Sequence, residues 1–565
     1  MRKPILIIFL IFFIIIIATI ASFIIIGLKE EVTVKKDSYL IISIGGDIPE
    51  EIIDYGGFPI FEKPLTIKDL LVNIKKAKDD KKIKGIYLKI YPLRIGWAKA
   101  QEIRDYLEDF SSSGKKIVTF LETGGNLEYF IASCSKVNLL PTGLLLIKGF
   151  ASEYIFFKNT LDKLGIKAEL EHIGDYKTAS NTFTENKFTN AHREMANSLL
   201  DDYYERFLRE ISNSRKKDLK EIKKIIEEGP YLPEDTLKNG LIDRLAYEDE
   251  ILNEIKKEGF DFIDIKKYSK VKFPLTGKKK IAIVYGLGAI DIGESGKDSI
   301  FGAPLIGSDT MTKILNRVKD DKSIKAVVLR IDSPGGSAIA SDIILRAELT
   351  LKEKKPLIVS MSDLAGSGGY WISLGSDYII SQPWSFTGSI GVIYGKFNLK
   401  GFYDKIGITK EIISRGKYAE LFSDYREFSP EEKGKIIEEM KWIYETFLKR
   451  VSTSRNMKID EIDKIGKGRV WTGEQAKKLK LIDEVGGVLK AIEIAKSKAK
   501  IPKEESVVIE FFPKRKTLWQ LIFNSSEGET HLINVDLKHF FAIPFLKSNV
   551  YSKALAIMPW IISIN

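Results

Sequence analysis

The sequence predicts an α/β fold that is built from two tandem copies of one domain. Short runs of β-branched and apolar residues alternate with longer amphipathic segments along the body of the chain, a pattern typical of parallel sheets layered with helices. The same order of segments recurs after about 241 residues. With 565 residues the chain is too long for a single hydrophobic core, so each copy is expected to fold as a domain.

The repeat depends on segments that match at a nearly constant offset. Ile83–Ile90 matches Ile324–Ile331 at an offset of 241 (324 − 83), and Tyr204–Leu208 matches Tyr444–Leu448 at 240 (444 − 204). A search for such internal repeats precedes any assignment of fold. The offsets predict the following division: residues 1–37 before the repeats, 38–258 for the first copy, 279–500 for the second copy, and 501–565 as a carboxyl-terminal extension.

In the second copy, buried strands alternate with helices. The strands are predicted at Ile281–Tyr285, Ala326–Ile331, Leu357–Met361 and Tyr378–Ser381. The main helices are predicted at Ala338–Thr350 and Pro430–Val451. In parallel sheets ligands bind at the carboxyl ends of strands, beside helix amino termini. We therefore expect the functional residues in the turns that follow these strands.

The amino-terminal segment Pro4–Leu28 contains no charged residue and is dominated by Ile, Leu and Phe. About 20 apolar residues in a helix cross the hydrocarbon layer, so this segment is predicted to be a single-pass signal-anchor. A cleaved signal peptide is the alternative, but the apolar run is long and no small-residue cleavage pattern closes it. The short charged end at Arg2 and Lys3 is expected to stay cytoplasmic. The body would then lie on the outer, periplasmic side of the inner (cytoplasmic) membrane.

Composition argues against several other classes of protein. The net charge of +11 comes from 88 Lys and Arg against 77 Asp and Glu in mixed-sign segments, so nucleic acid is not an expected partner. The single cysteine, Cys134, excludes an intrachain disulfide and a cysteine-built metal site. With four histidines and no HxxxH pair, a zinc site is not expected either. We predict no metal and no cofactor.

Glycine-rich turns follow three of the strands in the second copy. Ser389 lies between glycines in Thr387–Gly391, where the backbone can turn sharply and leave the hydroxyl open. Such a string alone is more often a turn than a nucleophile. Gly335 and Gly336 could direct backbone N–H groups at a developing anion, as an oxyanion hole requires. The third turn, Ala365–Tyr370, has the same composition. A plain tight turn is the alternative for each.

The two copies differ in complementary ways at these positions. The first copy has Arg94 and Ile95 opposite the glycine pair, and Ile147 opposite Ser389. It has Lys177, however, where the second copy has Ala419.

A serine nucleophile needs a general base. No histidine occurs between His192 and His531, so a Ser-His-Asp arrangement within the second copy is not available. A lysine is usually a solvated surface residue, but a desolvated lysine can lose its proton near neutral pH. We therefore expect Lys177 of the first copy to serve Ser389 of the second.

These residues resemble the signal peptide peptidase A family in its long, two-repeat form. Asp175 stands where that family commonly has a lysine. The resemblance covers nearly the whole chain and rests on four motifs: Asp332–Ser337, Ala365–Tyr370, Thr387–Gly391 and Gly174–Ala179.

The resemblance implies two fused domains of the Clp protease/crotonase type with a Ser-Lys dyad split between them. By motif, Ser389 would be the nucleophile, Lys177 the general base, and Gly335 and Gly336 the oxyanion hole. Ser414, on the predicted strand before the lost lysine position, would orient Lys177. The implied protein is a membrane-bound serine endopeptidase that degrades cleaved signal peptides, commonly as a homo-tetramer.

Two other functions remain open from the sequence. A crotonase-like acyl-CoA enzyme would share the glycine-built oxyanion hole, and a non-catalytic membrane scaffold would keep only the fold. The aromatic-rich tail after residue 501 is expected to pack against the body or a neighbouring subunit, with contact to the membrane surface as the alternative.

Overall fold

The computed structural model describes residues 12, 15, 32–52, 64–271, 277–297, 303–514, 555–557 and 563–564. The predicted anchor Pro4–Leu28 lies outside the described residues, apart from Phe12 and Ile15, which are helical. Within the part of the chain that is described, no helix is both long enough and apolar enough to cross a membrane.

The first copy contains ten strands and ten α-helices among the described residues. Its strands are Ser38–Gly46 (β1), Ile83–Leu93 (β2), Lys116–Leu121 (β3), Gly124–Gly125 (β4), Lys136–Leu139 (β5), Leu145–Leu146 (β6), Ser152–Glu153 (β7), Lys167–Ile173 (β8), Arg244–Leu245 (β9) and Asp261–Asp264 (β10). Its helices are Ile67–Asp79 (α1), Trp97–Ser111 (α2), Asn126–Ala132 (α3), Lys158–Leu164 (α4), Asn181–Thr184 (α5), Asn190–Arg215 (α6), Leu219–Glu228 (α7), Pro233–Lys238 (α8), Glu248–Lys257 (α9) and Ile265–Tyr268 (α10), with a 3₁₀ turn at Thr178–Ser180.

The second copy repeats this order, and short strands of the tail follow it. Its strands are Lys280–Leu287 (β11), Ala289–Asp291 (β12), Gly296–Lys297 (β13), Pro304–Gly307 (β14), Ile324–Ser333 (β15), Gly335–Ser337 (β16), Leu357–Gly366 (β17), Tyr378–Ser381 (β18), Phe386–Gly388 (β19), Val392–Asn398 (β20), Val470–Thr472 (β21), Glu484–Val485 (β22) and Val508–Phe512 (β23), with Leu555–Ile557 (β24) and Ser563–Ile564 (β25) in the tail. Its helices are Ser308–Asp320 (α11), Ala338–Lys352 (α12), Gly368–Trp371 (α13), Lys400–Ile406 (α14), Pro430–Arg455 (α15), Ile459–Ile465 (α16), Gly473–Lys478 (α17) and Val488–Lys498 (α18).

The elements predicted for the second copy are present. All four predicted strands lie within β11, β15, β17 and β18, and both predicted helices lie within α12 and α15. Differences are confined to the ends, because β15 and β17 continue into the glycine-rich turns that the sequence pattern treats as loops.

Three sheets organise the molecule. A six-stranded sheet, β10-β1-β2-β3-β5-β9, is formed by the first copy and by β10, which lies just beyond residue 258. The strands β21-β19-β17-β15-β11-β23 form the main sheet of the second copy, with β23 just beyond residue 500 and with β18 and β22 beside the sheet. The third sheet, β13-β14-β12-β16-β24-β20-β8, contains strands of both copies and of the tail. In it β8 of the first copy pairs antiparallel with β20 of the second, so the copies share a sheet.

Equivalent buried contacts confirm that the copies are structural repeats. The Tyr129 hydroxyl donates to the carbonyl of Leu241 at 2.7 Å, and the Tyr370 hydroxyl donates to the carbonyl of Leu481 at 2.7 Å. The helices α6 and α15 each contain 26 residues. The described tail strands β24 and β25 pair with strands of the body, in agreement with a tail that packs against it.

The helices α6 and α15 begin and end with the same local signals. A hydroxyl caps each amino terminus: Thr189 accepts from His192 N, and Ser429 accepts from Glu432 N. At the carboxyl end each helix closes on a residue in the left-handed conformation. The same start and stop signals therefore produce helices of equal length in both copies.

The two copies also share apolar packing. Trp384 of the second copy is buried and stacks on Trp97 of the first copy with ring centroids 4.8 Å apart. The Tyr203 hydroxyl donates to the Trp384 carbonyl. Burying a pair of large aromatic side chains is a substantial source of stability, so the interface between the copies is a continuation of the first core.

Candidate active site

Lys177 reaches from the first copy into the second. It follows β8, whose last residue, Ile173, pairs with Val392 at the start of β20. Its side chain is completely buried. The Nζ atom donates to Ser367 Oγ at 2.7 Å, to the Ser389 carbonyl at 2.8 Å and to Ser389 Oγ at 2.9 Å. The structure thus brings together the lysine and serine that the sequence pairs, and adds a second serine.

Burial lowers the pKa of Lys177 well below that of a free lysine. The three acceptors of its Nζ are neutral oxygens, and a charged ammonium among them gains less than it loses by leaving water. A lysine in this environment can be neutral at moderate pH and can accept a proton.

A loop of the second copy, residues 466–469, holds the lysine in place. Tyr176 N donates to the carbonyl of Lys467 at 2.9 Å. Gly468 has a φ of +80°, and a Cβ there would lie 2.4 Å from Lys177 N. Only glycine can adopt that φ easily and also allow so close an approach. Sequence analysis missed this loop, although a Gly-x-Gly string with a basic residue is visible there.

The same loop also fixes the backbone around Ser389. Ser389 N donates to the carbonyl of Arg469 at 2.8 Å, and Gly468 N donates to the carbonyl of Ile390 at 2.6 Å. Loop 466–469 therefore sets the position of Lys177 relative to Ser389.

Ser367 occupies a sharp turn between strand β17 and helix α13. Its φ of 54° and ψ of −112° are strained for a residue with a side chain. Its backbone N–H donates to the carbonyl of Gly388 at 2.8 Å. A serine on a strained strand-to-helix turn is the arrangement of a nucleophile elbow, in which the hydroxyl is presented at the end of the sheet.

The sheet places the three glycine-rich turns side by side. Ser333 of β15 pairs with Ala365 of β17, and Gly366 of β17 pairs with Gly388 of β19. Strand β17 therefore lies between β15, which leads into the Gly335-Gly336 turn, and β19, which leads into Ser389. Ser367 directly follows this central strand. Adjacent strands are about 4.8 Å apart, so Ser389 is one strand farther from the glycine pair than Ser367 is.

Gly335 and Gly336 form the short strand β16 with φ values of 100° and 154°. Gly335 N donates to Ser333 Oγ at 3.2 Å. A Cβ on Gly336 would lie 2.1 Å from the Ile290 carbonyl oxygen, so this close approach requires glycine. Strand β24 lies antiparallel to β16, with Gly336 opposite Ala556. This edge thus accepts an extended chain.

A cavity of about 760 Å³ opens beside β16. Ser337 of β16 is part of its lining, together with large apolar and aromatic side chains and several charged ones: Ile339, Ile343, Trp371, Tyr394, Trp442, Ile443, Lys319, Asp342, Arg346 and Glu439.

The remaining prediction, Ser414, has a different environment. Its Oγ donates to Glu420 Oε1 at 2.6 Å, and residues 411–415 form no strand. The predicted contact with Lys177 is therefore wrong, because the lysine finds its partners in Ser367 and Ser389. Among the described residues, no group of three or more His, Cys, Asp or Glu side chains could hold a metal ion.

Comparison with known proteins decides the family. The Peptidase family S49 profile matches residues 109–259 and 350–502. The chain belongs to peptidase family S49. The two matched segments lie in the two copies, and membership confirms the resemblance drawn from the motifs. The chain is thus a serine protease that acts on peptide substrates.

Named relatives extend along most of the chain. "Serine protease SPPA, chloroplastic" of Arabidopsis thaliana is 36% identical over 489 residues, which cover 84% of this chain and 71% of the relative. "Protease 4" of Salmonella typhi is 31% identical and covers 77% of this chain and 72% of the relative. "Protease 4" of Haemophilus influenzae is also 31% identical, covering 76% and 72%.

Proposed function

We propose that this S49 protease cleaves peptides with a Ser-Lys pair that is divided between the two copies. The observation that carries the proposal is the buried Lys177 Nζ, 2.7 Å from Ser367 Oγ and 2.9 Å from Ser389 Oγ. Lys177 belongs to the first copy and both serines belong to the second. A neutral lysine at hydrogen-bond distance from a hydroxyl satisfies the geometric requirement for a general base.

We propose Ser367 as the nucleophile in place of Ser389, the serine predicted from the sequence. Both serines have a positive φ, 54° for Ser367 and 52° for Ser389, so backbone strain does not distinguish them. Two observations support the change: Ser367 stands directly before helix α13, as an elbow serine does, and it follows the strand next to the one that leads into the Gly335-Gly336 turn. A nucleophile must lie close to the donors that stabilise its oxyanion. Ser389 instead offers Lys177 both its carbonyl and its hydroxyl, which suits a residue that orients the base.

The reaction then proceeds in two halves. Neutral Lys177 accepts the proton of Ser367 Oγ as this oxygen attacks the scissile carbonyl carbon. The carbonyl oxygen becomes an oxyanion, which the N–H groups of Gly336 and of Gly368, the residue after the nucleophile, would stabilise. Gly335, the other donor predicted from the sequence, is not given this role because its N–H donates to Ser333 Oγ. Lys177 returns the proton to the leaving amine, which departs and leaves an acyl-serine. Water, deprotonated by Lys177, attacks this ester, and the proton returns to Ser367 as the carboxylic acid is released.

Peptides with large apolar side chains fit the surroundings of the site. Strand β16 pairs with β12 on one side and with β24 on the other, so a substrate in extended form would bind there through main-chain hydrogen bonds in the place of β24. The neighbouring cavity of about 760 Å³ presents apolar and aromatic side chains such as Trp371 and Trp442, beside charged ones such as Arg346 and Glu439. The apolar core of a cleaved signal peptide matches the apolar part of this lining, and we propose such peptides as substrates.

We propose for the rest of the chain the organisation that the sequence predicts. We propose that residues 38–258 and 279–500 are two domains of the Clp protease/crotonase type. Pro4–Leu28 would anchor the chain in the inner membrane with its body on the periplasmic side, and residues 501–565 would form an extension. A homo-tetramer is proposed as the working assembly. A crotonase-like acyl-CoA enzyme and a non-catalytic scaffold are disfavoured by membership of a peptidase family.

A fluorophosphonate probe followed by peptide mapping tests the nucleophile. We expect the phosphonyl group on Ser367, no labelling in Ser367→Ala, and slower labelling in Ser389→Ala, which keeps the nucleophile but loses a lysine partner. Ser414→Ala is the matched control and should label at the wild-type rate. A modified Ser389 would overturn the assignment to Ser367, and an absence of both labelling and peptide hydrolysis in the wild-type chain would overturn the peptidase proposal itself.

A further inference from the structure

A second lysine of the first copy also enters the second copy. Lys99, in the first turn of α2, places Nζ 2.7 Å from Asp332 Oδ2 and 2.9 Å from Asp363 Oδ2. Its backbone N–H donates to Asp363 Oδ1 at 3.1 Å. The three side chains are each at most 17% exposed. Lys99 therefore bridges two carboxylates of the second copy that would otherwise face each other in a region of low dielectric.

The two carboxylates lie directly before the residues of the proposed reaction. Asp332 is near the end of β15, and the Gly335-Gly336 turn follows it. Asp363 is near the end of β17, and Ser367 follows it. Asp332 Oδ1 also accepts from Leu364 N at 3.1 Å, which links the two strands. A change in the spacing of these carboxylates would move the glycine pair relative to Ser367.

Comparison of the copies shows that this bridge is not a general feature of the repeat. Ser337 caps its own helix α12 by accepting from Ala340 N at 3.3 Å. The first copy has Gly96 and Lys99 at these positions (337 − 241 and 340 − 241). Gly96 has no side chain to cap α2, and Asp363 of the other copy performs this function. A Cβ on Gly96 would lie 2.2 Å from the Asp363 carboxylate, so glycine is needed there.

Among the described residues, the neighbouring buried cation Arg330 is already bound to Glu50 at 2.7 Å and to Glu102 at 3.2 Å, so it does not replace Lys99. Asp332 and Asp363 raise the pKa of Lys99 despite its burial, so the lysine stays protonated. Its charge matches two carboxylates that repel each other, and the hydrogen bonds fix their separation.

We propose that Lys99 is a positioning residue that holds the Gly335-Gly336 turn and Ser367 at their catalytic spacing. This inference rests on the proposed peptidase function. The first copy then has a second role besides the supply of Lys177. Through Lys99 it sets the spacing of the Gly335-Gly336 turn and Ser367, which both belong to the second copy. Misplacement of a reacting group by about 1 Å can reduce the rate 10²-fold.

Turnover of the full-length Lys99→Met variant tests the proposal. We expect kcat for an apolar fluorogenic peptide to fall about 10²-fold while KM changes less than about threefold, because the substrate still binds but the oxyanion donors are misplaced. Lys99→Arg keeps the charge and should recover most of kcat. Adding Asp332→Asn to Lys99→Met removes the repulsion, so the double variant should be about tenfold more active than Lys99→Met. If Lys99 only stabilised the fold, adding Asp332→Asn would not restore turnover.

The matched control is Lys89→Met. Lys89 likewise lies between two carboxylates, Glu122 and Glu248, at 2.7 Å from each, but entirely within the first copy. The Lys89→Met variant should have a lower melting temperature and an unchanged kcat. If Lys99→Met does not fold, recovery of folding and turnover by the added Asp332→Asn supports the proposal. A folded Lys99→Met variant with wild-type kcat would overturn it, as would a double variant no better than Lys99→Met. Failure of the wild-type chain to hydrolyse the peptide would instead count against the proposed function.

Discussion

The two copies share a fold but differ at the turn that precedes one short helix. In the second copy this turn presents Ser367, and in the first copy Asn126 occupies the equivalent position (367 − 241). The Tyr129 and Tyr370 contacts show that these short helices are seated alike in both copies. Asn126 Oδ1 accepts from Lys148 N at 3.0 Å and so stabilises the backbone of its own copy. Equal packing therefore supports the hydroxyl of the proposed nucleophile in one copy and a structural amide in the other.

The turn opposite the glycine pair differs in the same sense. Arg94 in the first copy forms an exposed ion pair with Asp47 at 2.6 Å, where the second copy has Gly335 and its neighbour. An exposed ion pair contributes little stability, and an arginine with its side chain in solvent cannot provide the close backbone approach of a glycine turn. The first copy thus has no oxyanion-type turn at this position.

The lysine position differs in the opposite direction. Strand β8 leads directly into the buried Lys177, whereas residues 411–415 of the second copy form no strand and Ala419 is exposed. The first copy kept the proposed base and its supporting strand, and the second kept the serines and glycines. A duplicated fold can therefore divide one set of catalytic groups between its copies, provided that the copies share a sheet, as β8 and β20 do.

Removal of Lys177 has the largest expected effect on this division. Lys177→Ala should reduce peptide hydrolysis by about 10⁴-fold or more, since a serine without its base loses most of its reactivity. Adding Ala419→Lys should not restore activity, because that position is exposed in the second copy. Steady-state hydrolysis of the same peptide measures both.

Lys167→Ala is the control for Lys177→Ala, since Lys167 is an exposed residue of the same strand, paired with Glu427 at 2.6 Å. It should retain wild-type activity. Substantial hydrolysis by a folded Lys177→Ala chain would contradict the split pair, and rescue by Ala419→Lys would show that the second copy can rebuild its own base.

A smaller loss is expected from the loop that seats Lys177. Gly468→Ala introduces a Cβ within 2.5 Å of Lys177 backbone atoms at a φ of +80°, so the lysine must shift. We expect kcat to fall about 10²-fold. Gly407→Ala is the control, because Gly407 has a similar φ of +74° but no atom within 4 Å of its added Cβ. Equal kcat in both variants would show that backbone strain, and not the displacement of Lys177, is responsible.

The smallest change is a gradual one with pH. Only neutral Lys177 accepts the serine proton, so kcat/KM should rise about tenfold per pH unit below the Lys177 pKa and then level off. Because burial lowers this pKa, the plateau should begin below the value of 10.5 of a free lysine. A peptide without titratable groups isolates the enzyme's own ionisation. A flat profile, or one that falls as pH rises over the range in which the protein stays folded, would rule out Lys177 as the base.

Sequence analysis predicted the repeated fold well because its signals are local. Periodicity located β15, β17 and α12, and the constant offset showed that Lys177 and Ser389 are complementary; the structure places their Nζ and Oγ atoms 2.9 Å apart. Ser367 was treated as part of a glycine loop, although a strand-to-helix junction is the context in which an elbow serine occurs.

Other parts of the site could not be derived from the offset. Lys99 with its two aspartates and Gly468 against Lys177 are contacts between copies, more than 200 positions apart in sequence. A comparison of equivalent positions reveals what each copy lacks, but not which residues of the other copy lie nearby. Ser414 illustrates the limit: its equivalence to a strand of the first copy predicted a strand that the second copy does not form.

The ladder between β8 and β20 has a consequence for biosynthesis. Its register runs from Ile173 opposite Val392 to Lys167 opposite Asn398, so β8 must wait for a partner that is translated more than 200 residues later. Such distant pairing delays folding. A ribosome-bound chain that has completed only its first copy holds Lys177 without either serine. The growing polypeptide should therefore carry no proteolytic activity until its second copy has emerged, which spares neighbouring nascent chains from premature cleavage.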